Sequence, residues 1–378
     1  MKRTSFIHKI DAAFAVHPIT AILGPRQCGK TTLANMYSQS RAAAHFDLED
    51  SRDLAMLDNP LLALEELTGL IIIDEIQRRP ELFPTLRVLV DKKGRQQKYL
   101  ILGSASRDLI KQSSETLTGR IEYIELTPFS YTEVGDIRKL WLRGGFPRSY
   151  LANNDIESMQ WRKAYISTFL ERDIPNLGFN IPPQTLRRFW MMLVHYHGNI
   201  FNASEIGRSL GIANTSIRNY LDILSGTFMM RELHPWIINI KKRQVKSPKI
   251  YFRDTGILNA LLGIENFEDL RIHPKLGSLW EGLALEEIIR FHGASENDCY
   301  FWATHSGAEL DLLIVQGSKK LGFEFKYTDN PKLTKSMQIA MRDLDLTSLT
   351  VIFPNKTNFP LTEKIRAIGL EEYLKQSD

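Results

Sequence analysis

One nine-residue stretch constrains the fold of this chain more than any other feature. It runs Gly24, Pro25, Arg26, Gln27, Cys28, Gly29, Lys30, Thr31 and Thr32, and its first eight residues fill the pattern G-x-x-x-x-G-K-[ST]. The apolar run 19–23 precedes it, and a run with helical character, 32–37, follows. The sequence therefore predicts a strand, a glycine-rich loop and a helix in direct succession.

Such a loop is suited to bind phosphate. Glycine at 24 and 29 permits backbone conformations and close approaches that a Cβ would block, so several N–H groups can point at one phosphate chain. We expect Lys30 to reach the β- and γ-phosphates and the Thr31 hydroxyl to ligate Mg²⁺, with Arg26 as a second cation. The loop predicts binding of a nucleoside triphosphate with Mg²⁺; the alternative is a chance match at a glycine turn.

A second motif follows the apolar run 70–73. Asp74 and Glu75 end this run, as expected for a strand buried on both faces with its polar residues at the carboxyl end. We expect Asp74 to contribute to the Mg²⁺ shell and Glu75 to orient or deprotonate the attacking water. Ordinary solvation of a strand end is the competing interpretation.

Strands and helices alternate around these motifs. Further strands are predicted at 44–47, 99–103 and 121–126, and helices at 61–67 and 82–90. This order predicts an α/β fold with a doubly wound parallel sheet. One strand separates the glycine-rich loop from the Asp74 strand, which is typical of ATPases that carry a catalytic glutamate.

Two further residues are candidates for sensing the γ-phosphate. Ser104 follows the strand 99–103, although a helix cap is an equally good interpretation. Arg120 is the candidate arginine finger or sensor, and a solvated loop arginine is the alternative. A finger role would require a neighbouring subunit, so a homo-oligomer is one expectation.

Six segments carry a family resemblance. They are GPRQCGKTTL, LIIIDEIQ, LILGSASRDL, LTGRIEYIELTPFSYTE, GGFPRSYL and ERDIPNLG, in this order. Together they resemble the bacterial and archaeal AAA-like P-loop ATPases whose C-terminal domain, of unassigned function, is related to PD-(D/E)XK nucleases. The resemblance covers nearly the whole chain. It implies nucleotide binding at 24–32, Mg²⁺ on Thr31 and Asp74, hydrolysis at Glu75 and a sensor at Ser104.

Length and composition agree with a multidomain globular protein. The chain has 378 residues, of which 43% are hydrophobic and 24% are charged, so disorder is excluded. Two cysteines cannot make a disulfide framework, and no run approaches the ~20 apolar residues of a membrane span. We therefore expect a cytoplasmic protein without a membrane partner. The net charge of +4 does not by itself indicate nucleic acid.

The middle of the chain has helical periodicity and then a helix-turn-helix pattern at 203–221. A small apolar core is predicted there, with Thr215, Ser216 and Arg218 on the open side of the second helix. Seven basic residues follow between 229 and 260, around predicted strands at 236–240 and 249–252. They are Arg231, Lys241, Lys242, Arg243, Lys246, Lys249 and Arg253. A basic β-wing beside a recognition helix predicts contact with DNA phosphates; packing or protein contact is the rival interpretation.

The last third of the chain holds a third constellation. Asp311 lies on one predicted strand, and Glu324 and Lys326 lie on the next, two residues apart and so on one face. These residues could hold Mg²⁺ and orient a water, with Glu281 completing the shell from a helix. The pattern resembles the PD-(D/E)XK motif but lacks its proline-aspartate pair. A charged edge hairpin, or a fold that has lost its chemistry, remains an alternative.

The sequence thus predicts three domains. An AAA-like ATPase domain spans 1–140, a helical connector with a winged helix-turn-helix spans 141–265, and a small α/β PD-(D/E)XK-like domain spans 266–378. Two functions remain open. Either ATP binding and hydrolysis switch a DNA- or protein-binding module, or the same ATPase gates a Mg²⁺-dependent nuclease.

Overall fold

The computed structural model describes residues 3–92, 97–104, 117–237, 245–305 and 307–376. Two compact units make up the chain. The first comprises Met1–Pro128 with Gly226–Phe228, and the second comprises Phe129–Ser225 with Met229–Asp378.

The first unit is built on a parallel sheet. Its strands are β1 (Ile19–Leu23), β2 (Ala43–Asp47), β3 (Leu70–Asp74), β4 (Lys98–Gly103) and β5 (Ile121–Glu125), in the spatial order β2-β3-β4-β1-β5. The described helices are α1 (Thr4–Val16), α2 (Lys30–Ser38), α3 (Ser51–Met56), α4 (Pro60–Glu65) and α5 (Leu82–Asp91). This is the predicted parallel α/β sheet, and the strand prediction is confirmed to within a residue or two.

The central strands are buried on both faces because their residues are apolar at successive positions. In β3, Ile71 and Ile73 pack into one hydrophobic cluster while Leu70 and Ile72 pack into another, on the opposite side of the sheet. Parallel pairing aligns the strand ends, since Leu23 lies beside Gly103. The segments that follow β1, β3 and β4 therefore meet at one edge.

The second unit begins with helices. These are α6 (Tyr131–Val134), α7 (Ile137–Arg143), α8 (Pro147–Tyr150), α9 (Asp155–Thr168), α10 (Ile174–Asn176) and α11 (Pro183–Tyr196). The short strand β6 (Asn199–Ile200), the helices α12 (Ala203–Leu210) and α13 (Asn214–Gly226), and the strands β7 (Met230–Pro235) and β8 (Lys249–Phe252) come next. Strand β8 pairs with both β6 and β7. The sequence predicts a strand at 236–240, but β7 ends at Pro235 and residues 236 and 237 are not in a strand, so the prediction is wrong there. Residues 238–240 lie outside the described ranges.

The rest of the second unit wraps helices around a mixed sheet. Helices α14 (Thr255–Leu262), α15 (Phe267–Ile272) and α16 (Leu276–Phe291) precede β9 (Cys299–Ala303), β10 (Glu309–Gln316) and β11 (Lys319–Phe325). Helix α17 (Lys335–Asp343), strands β12 (Ser348–Phe353), β13 (Asn358–Pro360) and β14 (Ile365–Gly369), and helix α18 (Leu370–Leu374) complete it. The sheet has the order β13-β14-β12-β11-β10-β9-β7-β8-β6.

The compact units differ from the three predicted domains. The first unit ends at Pro128 rather than at residue 140, and no break in the core appears at 265 among the described residues of the second unit. One hydrophobic cluster there runs from Phe129 to Leu374, and Trp141 and Trp280 contact each other edge-on within it. Segments that look separate in sequence thus share one core.

Candidate functional site

The glycine-rich loop lies between β1 and α2 and adopts a conformation that its residue types make possible. A Cβ on Gly24 would come within 2.2 Å of the carbonyl oxygen of Leu126, so any larger residue would displace the loop. Gly29 has φ of 103° and Gln27 has φ of 61°, both in the left-handed region. The loop therefore leads directly into the amino end of α2, where backbone N–H groups and the helix dipole favour an anion.

Lys30 is buried at the end of this loop, as the first residue of α2. Its Nζ donates hydrogen bonds to the carbonyl oxygens of Gly24 and Pro25, both at 3.0 Å. These contacts hold the ammonium group against the loop backbone, where a bound phosphate would be within its reach.

Thr31 and Asp74 come together from α2 and β3. The Thr31 hydroxyl donates a hydrogen bond to Asp74 Oδ2 at 2.5 Å, and the Glu75 amide donates one to Asp74 Oδ1 at 2.8 Å. Burial raises the pKa of Asp74, and the Thr31 hydrogen bond opposes that rise. A hydroxyl beside a buried carboxylate is a donor set suited to Mg²⁺, so these two residues fit the ion that the fold implies.

Glu75 is held by polar neighbours just beyond β3. Ser104 Oγ donates to Glu75 Oε1 at 2.9 Å, and Gln77 donates to the other carboxylate oxygen. Arg26 lies 4.0 Å from Glu75 and pairs with Glu49 at 2.8 Å. The structure thus brings together the predicted Arg26, Glu75 and Ser104. Sequence reasoning assigned no role to Gln77 or Glu49, although Gln77 ends the segment LIIIDEIQ.

Arg120 lies at the other edge of the sheet. It immediately precedes β5, whose first residue is beside Ile19, the first residue of β1, whereas the glycine-rich loop follows the last residue of β1. The Arg120 guanidinium makes a two-pronged ion pair with Asp91, at 2.6 and 2.9 Å. Arg120 is therefore remote from the nucleotide loop of its own chain, and only the finger role toward another subunit stays a prediction.

The predicted DNA-contacting residues fall into two groups. Thr215 is exposed and Ser216 half-buried at the start of α13, while Arg218 forms ion pairs with Asp222 at 3.2 Å and with the buried Glu232. Lys241, Lys242 and Arg243 lie outside the described residues.

Three of the other basic residues in the predicted wing are not available to grip phosphates. Arg231 is buried against Glu286, and Arg253 also lies 3.8 Å from that carboxylate. Lys249 is buried as well and faces the C-terminal carboxylates. Counting charges along the sequence could not reveal this, because β7 and β8 lie within the sheet rather than outside it.

The C-terminal carboxylates converge as their spacing predicted. Leu312 pairs with Phe323, so Asp311 and Glu324 are neighbours across β10 and β11, and each is 2% exposed. The Phe325 amide donates a hydrogen bond to Asp311 Oδ2 at 3.0 Å. Lys326 Nζ lies 2.7 Å from Glu324 Oε2 and 3.6 Å from Asp311 Oδ2.

Glu281 on helix α16 joins Asp311 and Glu324, and we call these three residues the carboxylate cluster. Two residues of strand β8 lie next to it. The Tyr251 hydroxyl donates a hydrogen bond to Glu281 Oε1 at 2.6 Å. Lys249 Nζ lies 3.9 Å from Glu281 Oε1 and 3.8 Å from Asp311 Oδ1. Sequence reasoning missed Lys249 and Tyr251 as members of this site, although they alternate on β8 and so share a face.

Burial and mutual repulsion raise the pKa of two of these carboxylates. The pKa of Glu281 rises to about 7 and that of Glu324 to about 8, first because both are buried and second because Asp311 is close. Glu324 Oε1 is buried without a hydrogen-bond partner. In the described part of the chain, no three His, Cys, Asp or Glu side chains are grouped closely enough to hold a metal ion as they stand. Lys249 lies near Glu281 and Asp311, and Lys326 lies near Asp311 and Glu324.

Three family models match successive parts of the chain. Residues 16–135 match the AAA domain, 134–268 match a domain of unknown function (DUF8612), and 276–373 match another (DUF4143). The first match agrees with the geometry of the glycine-rich loop, and the first unit is an AAA-like P-loop ATPase domain. The two other matches name no activity.

Two curated mycobacterial proteins are similar over almost the whole length. They are uncharacterized protein Mb2031c of Mycobacterium bovis and uncharacterized protein Rv2008c of Mycobacterium tuberculosis. Each is 46% identical over 376 residues, covering 97% of this chain and 85% of the relative. This chain belongs to their family.

Two solved structures show a distant likeness to this chain. The Walker-type ATPase PABY2304 of Pyrococcus abyssi is 16% identical, with a TM-score of 0.49 over 69% of this chain and 95% of its own. The STAND protein PH0952 of Pyrococcus horikoshii, which has a tetratricopeptide repeat sensor, is 11% identical, with a TM-score of 0.29 over 78% and 45%. Such scores are too low to establish a shared fold. Of the helices described, none combines the length and apolar character needed to cross a bilayer.

Proposed function

We propose that this protein binds and hydrolyses ATP at the loop 24–32 and uses the cycle to switch a DNA- or protein-binding module in its C-terminal part. One observation carries the proposal. Lys30, the Thr31–Asp74 pair and the Ser104–Glu75 pair all lie at the carboxyl edge of one parallel sheet, where an α/β fold binds its ligand.

Each residue has a role in this proposal. Lys30 exchanges its two carbonyl partners for phosphate oxygens, and the amide groups at the start of α2 hold the remaining phosphate charge. Thr31 and Asp74 would hold Mg²⁺, which supplies charge neutralisation to the phosphates. Glu75 accepts the proton of the attacking water or orients it, and Ser104 fixes one of its carboxylate oxygens.

Replacing Lys30 tests the nucleotide site. Lys30→Ala removes a charged hydrogen-bond donor, so ATP should bind about 10- to 100-fold more weakly in calorimetry with Mg²⁺ present. Lys9→Ala, which changes an exposed lysine of α1, is the matched control and should bind ATP normally. An unchanged affinity of Lys30→Ala would contradict the proposal.

The helix-turn-helix supports a DNA or protein partner. The order α11, β6, α12, α13, β7, β8, with β8 between β6 and β7, is that expected of a winged helix, and Thr215 is exposed on it. If DNA is the partner, replacing Lys241, Lys242 and Arg243 together should weaken binding and reduce its dependence on salt by roughly 2 to 3 in log–log slope. A slope identical to that of the unmodified protein would defeat the assignment of these three residues to DNA contact.

The carboxylate cluster favours a second candidate, an ATP-gated nuclease. All four residues predicted for this site, Glu281, Asp311, Glu324 and Lys326, converge, and a buried carboxylate oxygen without a partner suits a hard cation. Mg²⁺ held by these carboxylates would activate water toward a phosphodiester. The test is cleavage of labelled duplex DNA with ATP and Mg²⁺ or Mn²⁺, which Asp311→Asn should abolish. Absence of product with either metal would reject this candidate.

A further inference from the structure

Lys249 is an unusual side chain of the second unit. Lysines on strands usually extend to water, but this one is 6% exposed, and burial of an ammonium is costly unless carboxylates compensate. Its neighbours Asp311 and Glu281 lie at 3.8 and 3.9 Å, beyond hydrogen-bond distance. Lys249 thus acts on both carboxylates by charge rather than by a directed hydrogen bond.

The position of Lys249 matches what a cation in this site would have to do. It approaches Asp311 Oδ1, whereas Lys326 approaches Asp311 Oδ2, so the two ammonium groups flank one carboxylate. It is also near Glu281, which comes from a different element. Lys249 therefore compensates the negative charge of both Asp311 on β10 and Glu281 on α16. A metal ion bound by these two carboxylates would do the same.

Two observations point to a ligand rather than to a closed structural ion-pair network. Glu324 Oε1 is buried and has no hydrogen-bond partner, which is costly unless something else binds it. The Lys326 side chain is 38% exposed and that of Glu281 is 17% exposed, so the cluster is open to solvent on one side. A buried acceptor without a partner, in a cluster whose Lys326 and Glu281 side chains reach solvent, suits a small hard cation.

We propose that Lys249 is a built-in counter-ion of the carboxylate cluster, a positioning residue that competes with a divalent cation for Asp311 and Glu281. This inference rests on the second candidate function, since it concerns the same carboxylates. The β8 strand carries the lysine, and β8 also pairs with β7, whose Glu232 is the partner of Arg218 on α13.

The test is binding of Tb³⁺, an oxygen-seeking ion whose luminescence is excited through nearby aromatic rings such as Tyr251. Full-length protein without nucleotide is used, in an Asp74→Asn background so that the loop site does not contribute. Lys249→Met should bind Tb³⁺ at least about tenfold more tightly, because a unit positive charge ~4 Å from two carboxylates opposes a second cation. Mn²⁺, measured by its displacement of Tb³⁺, should likewise bind more tightly to Lys249→Met than to the protein that keeps Lys249.

Three variants make the result specific. Lys249→Arg keeps the charge, and Lys246→Met changes an exposed lysine three residues earlier, so neither should tighten binding. Adding Asp311→Asn to Lys249→Met should abolish the gain, because it removes a shared carboxylate. Unchanged or weaker binding by Lys249→Met would overturn the proposal, as would failure of every variant to bind Tb³⁺.

Folding is checked separately by tryptophan fluorescence. If Lys249→Met does not fold, Lys249→Gln, which keeps a polar tip, replaces it with the same expectation. Failure of both to fold would assign the lysine a structural role and overturn the proposal. Tighter Tb³⁺ binding without DNA cleavage by any variant would reject only the nuclease, because the binding measurement needs neither cleavage nor ATP hydrolysis.

Discussion

Glu75 occupies an uncommon backbone conformation for a residue with a side chain. Its φ is 55°, in the left-handed region where residues other than glycine are rarely found. This conformation ends β3 abruptly and brings the carboxylate to Ser104 rather than along the strand. A strained backbone conformation persists only where the surrounding structure enforces it. Here it positions the carboxylate of Glu75, the proposed catalytic group.

Replacing Glu75 should separate binding from hydrolysis. Glu75→Gln keeps the shape of the side chain but cannot accept a proton, so the rate of ATP hydrolysis should fall by about 10² to 10⁴ while the Kd for ATP stays within a few-fold. Steady-state phosphate release and calorimetry measure the two quantities. Glu81→Gln, an exposed glutamate nearby, is the control. Equal hydrolysis by Glu75→Gln and the unmodified protein would show that another group acts as base.

At the scale of elements, helix α16 is placed by a glycine. A Cβ on Gly282 would lie 2.3 Å from His197 Nε2, so the helix approaches the end of α11 more closely than any other residue would allow. This approach brings Glu281 beside β8, where Tyr251 contacts it. The packing of one helix against one histidine therefore places a carboxylate of the cluster.

Two glycines of α16 provide a matched pair of substitutions. Gly282→Ala should destabilise the second unit by about 1–3 kcal/mol through overpacking. Gly277→Ala, where nothing lies within 4 Å, should leave stability unchanged or raise it by up to about 1 kcal/mol, since alanine favours helices. Urea unfolding followed by tryptophan fluorescence measures both. Equal effects of the two substitutions would show that the close approach does not matter.

His197 should make the stability of the second unit depend on pH. Its Nδ1 accepts a hydrogen bond from the Phe252 amide at 3.0 Å, and burial lowers the pKa of His197 to about 3 from 6.5. Unfolded protein therefore binds more protons between these values, so the free energy of unfolding should fall as pH is lowered below 6.5, by about 2 kcal/mol at pH 5.

Substituting the histidine should flatten that dependence. His197→Gln removes the titrating group, whereas His195→Gln changes an exposed histidine of α11 and should retain the full loss at acid pH. Urea unfolding at pH 5 and pH 7 checks this. An equal pH dependence in both variants would assign the effect to other groups.

At the scale of the molecule, each unit has its own hydrophobic core. The first unit has a core on each face of its sheet, and the second has two clusters of its own. All six tryptophans lie in the second unit, at 141, 161, 190, 236, 280 and 302. Tryptophan fluorescence therefore reports the second unit alone.

Nucleotide should stabilise the unit that binds it. ATP with Mg²⁺ at 100 times its Kd adds about 2.7 kcal/mol to the folded state by mass action. Calorimetry should show a higher midpoint temperature for the unfolding transition of the first unit, which is the transition that occurs without a change in tryptophan fluorescence. Lys30→Ala should lose this rise. A shift confined to the fluorescent transition would place ATP binding in the second unit instead.

The sequence alone determined the first unit because its motifs are local. The loop 24–32, the run ending at Asp74 and Glu75, and the strand before Ser104 are each continuous, and parallel pairing aligns strand ends without further information. The spacing of Glu324 and Lys326 likewise sufficed to predict a shared face with Asp311, because side chains alternate along a strand.

Only the tertiary structure decided which charges are free. Arg231, Lys249 and Arg253 appear as a basic wing in the sequence, yet packing of β7 and β8 into a larger sheet buries Arg231 and Lys249 and leaves Arg253 half-buried, 3.8 Å from Glu286. It also placed Arg120 at the edge opposite its own loop. The ion-pair partners of these residues lie 29 to 62 positions away in the sequence, and no local pattern records them.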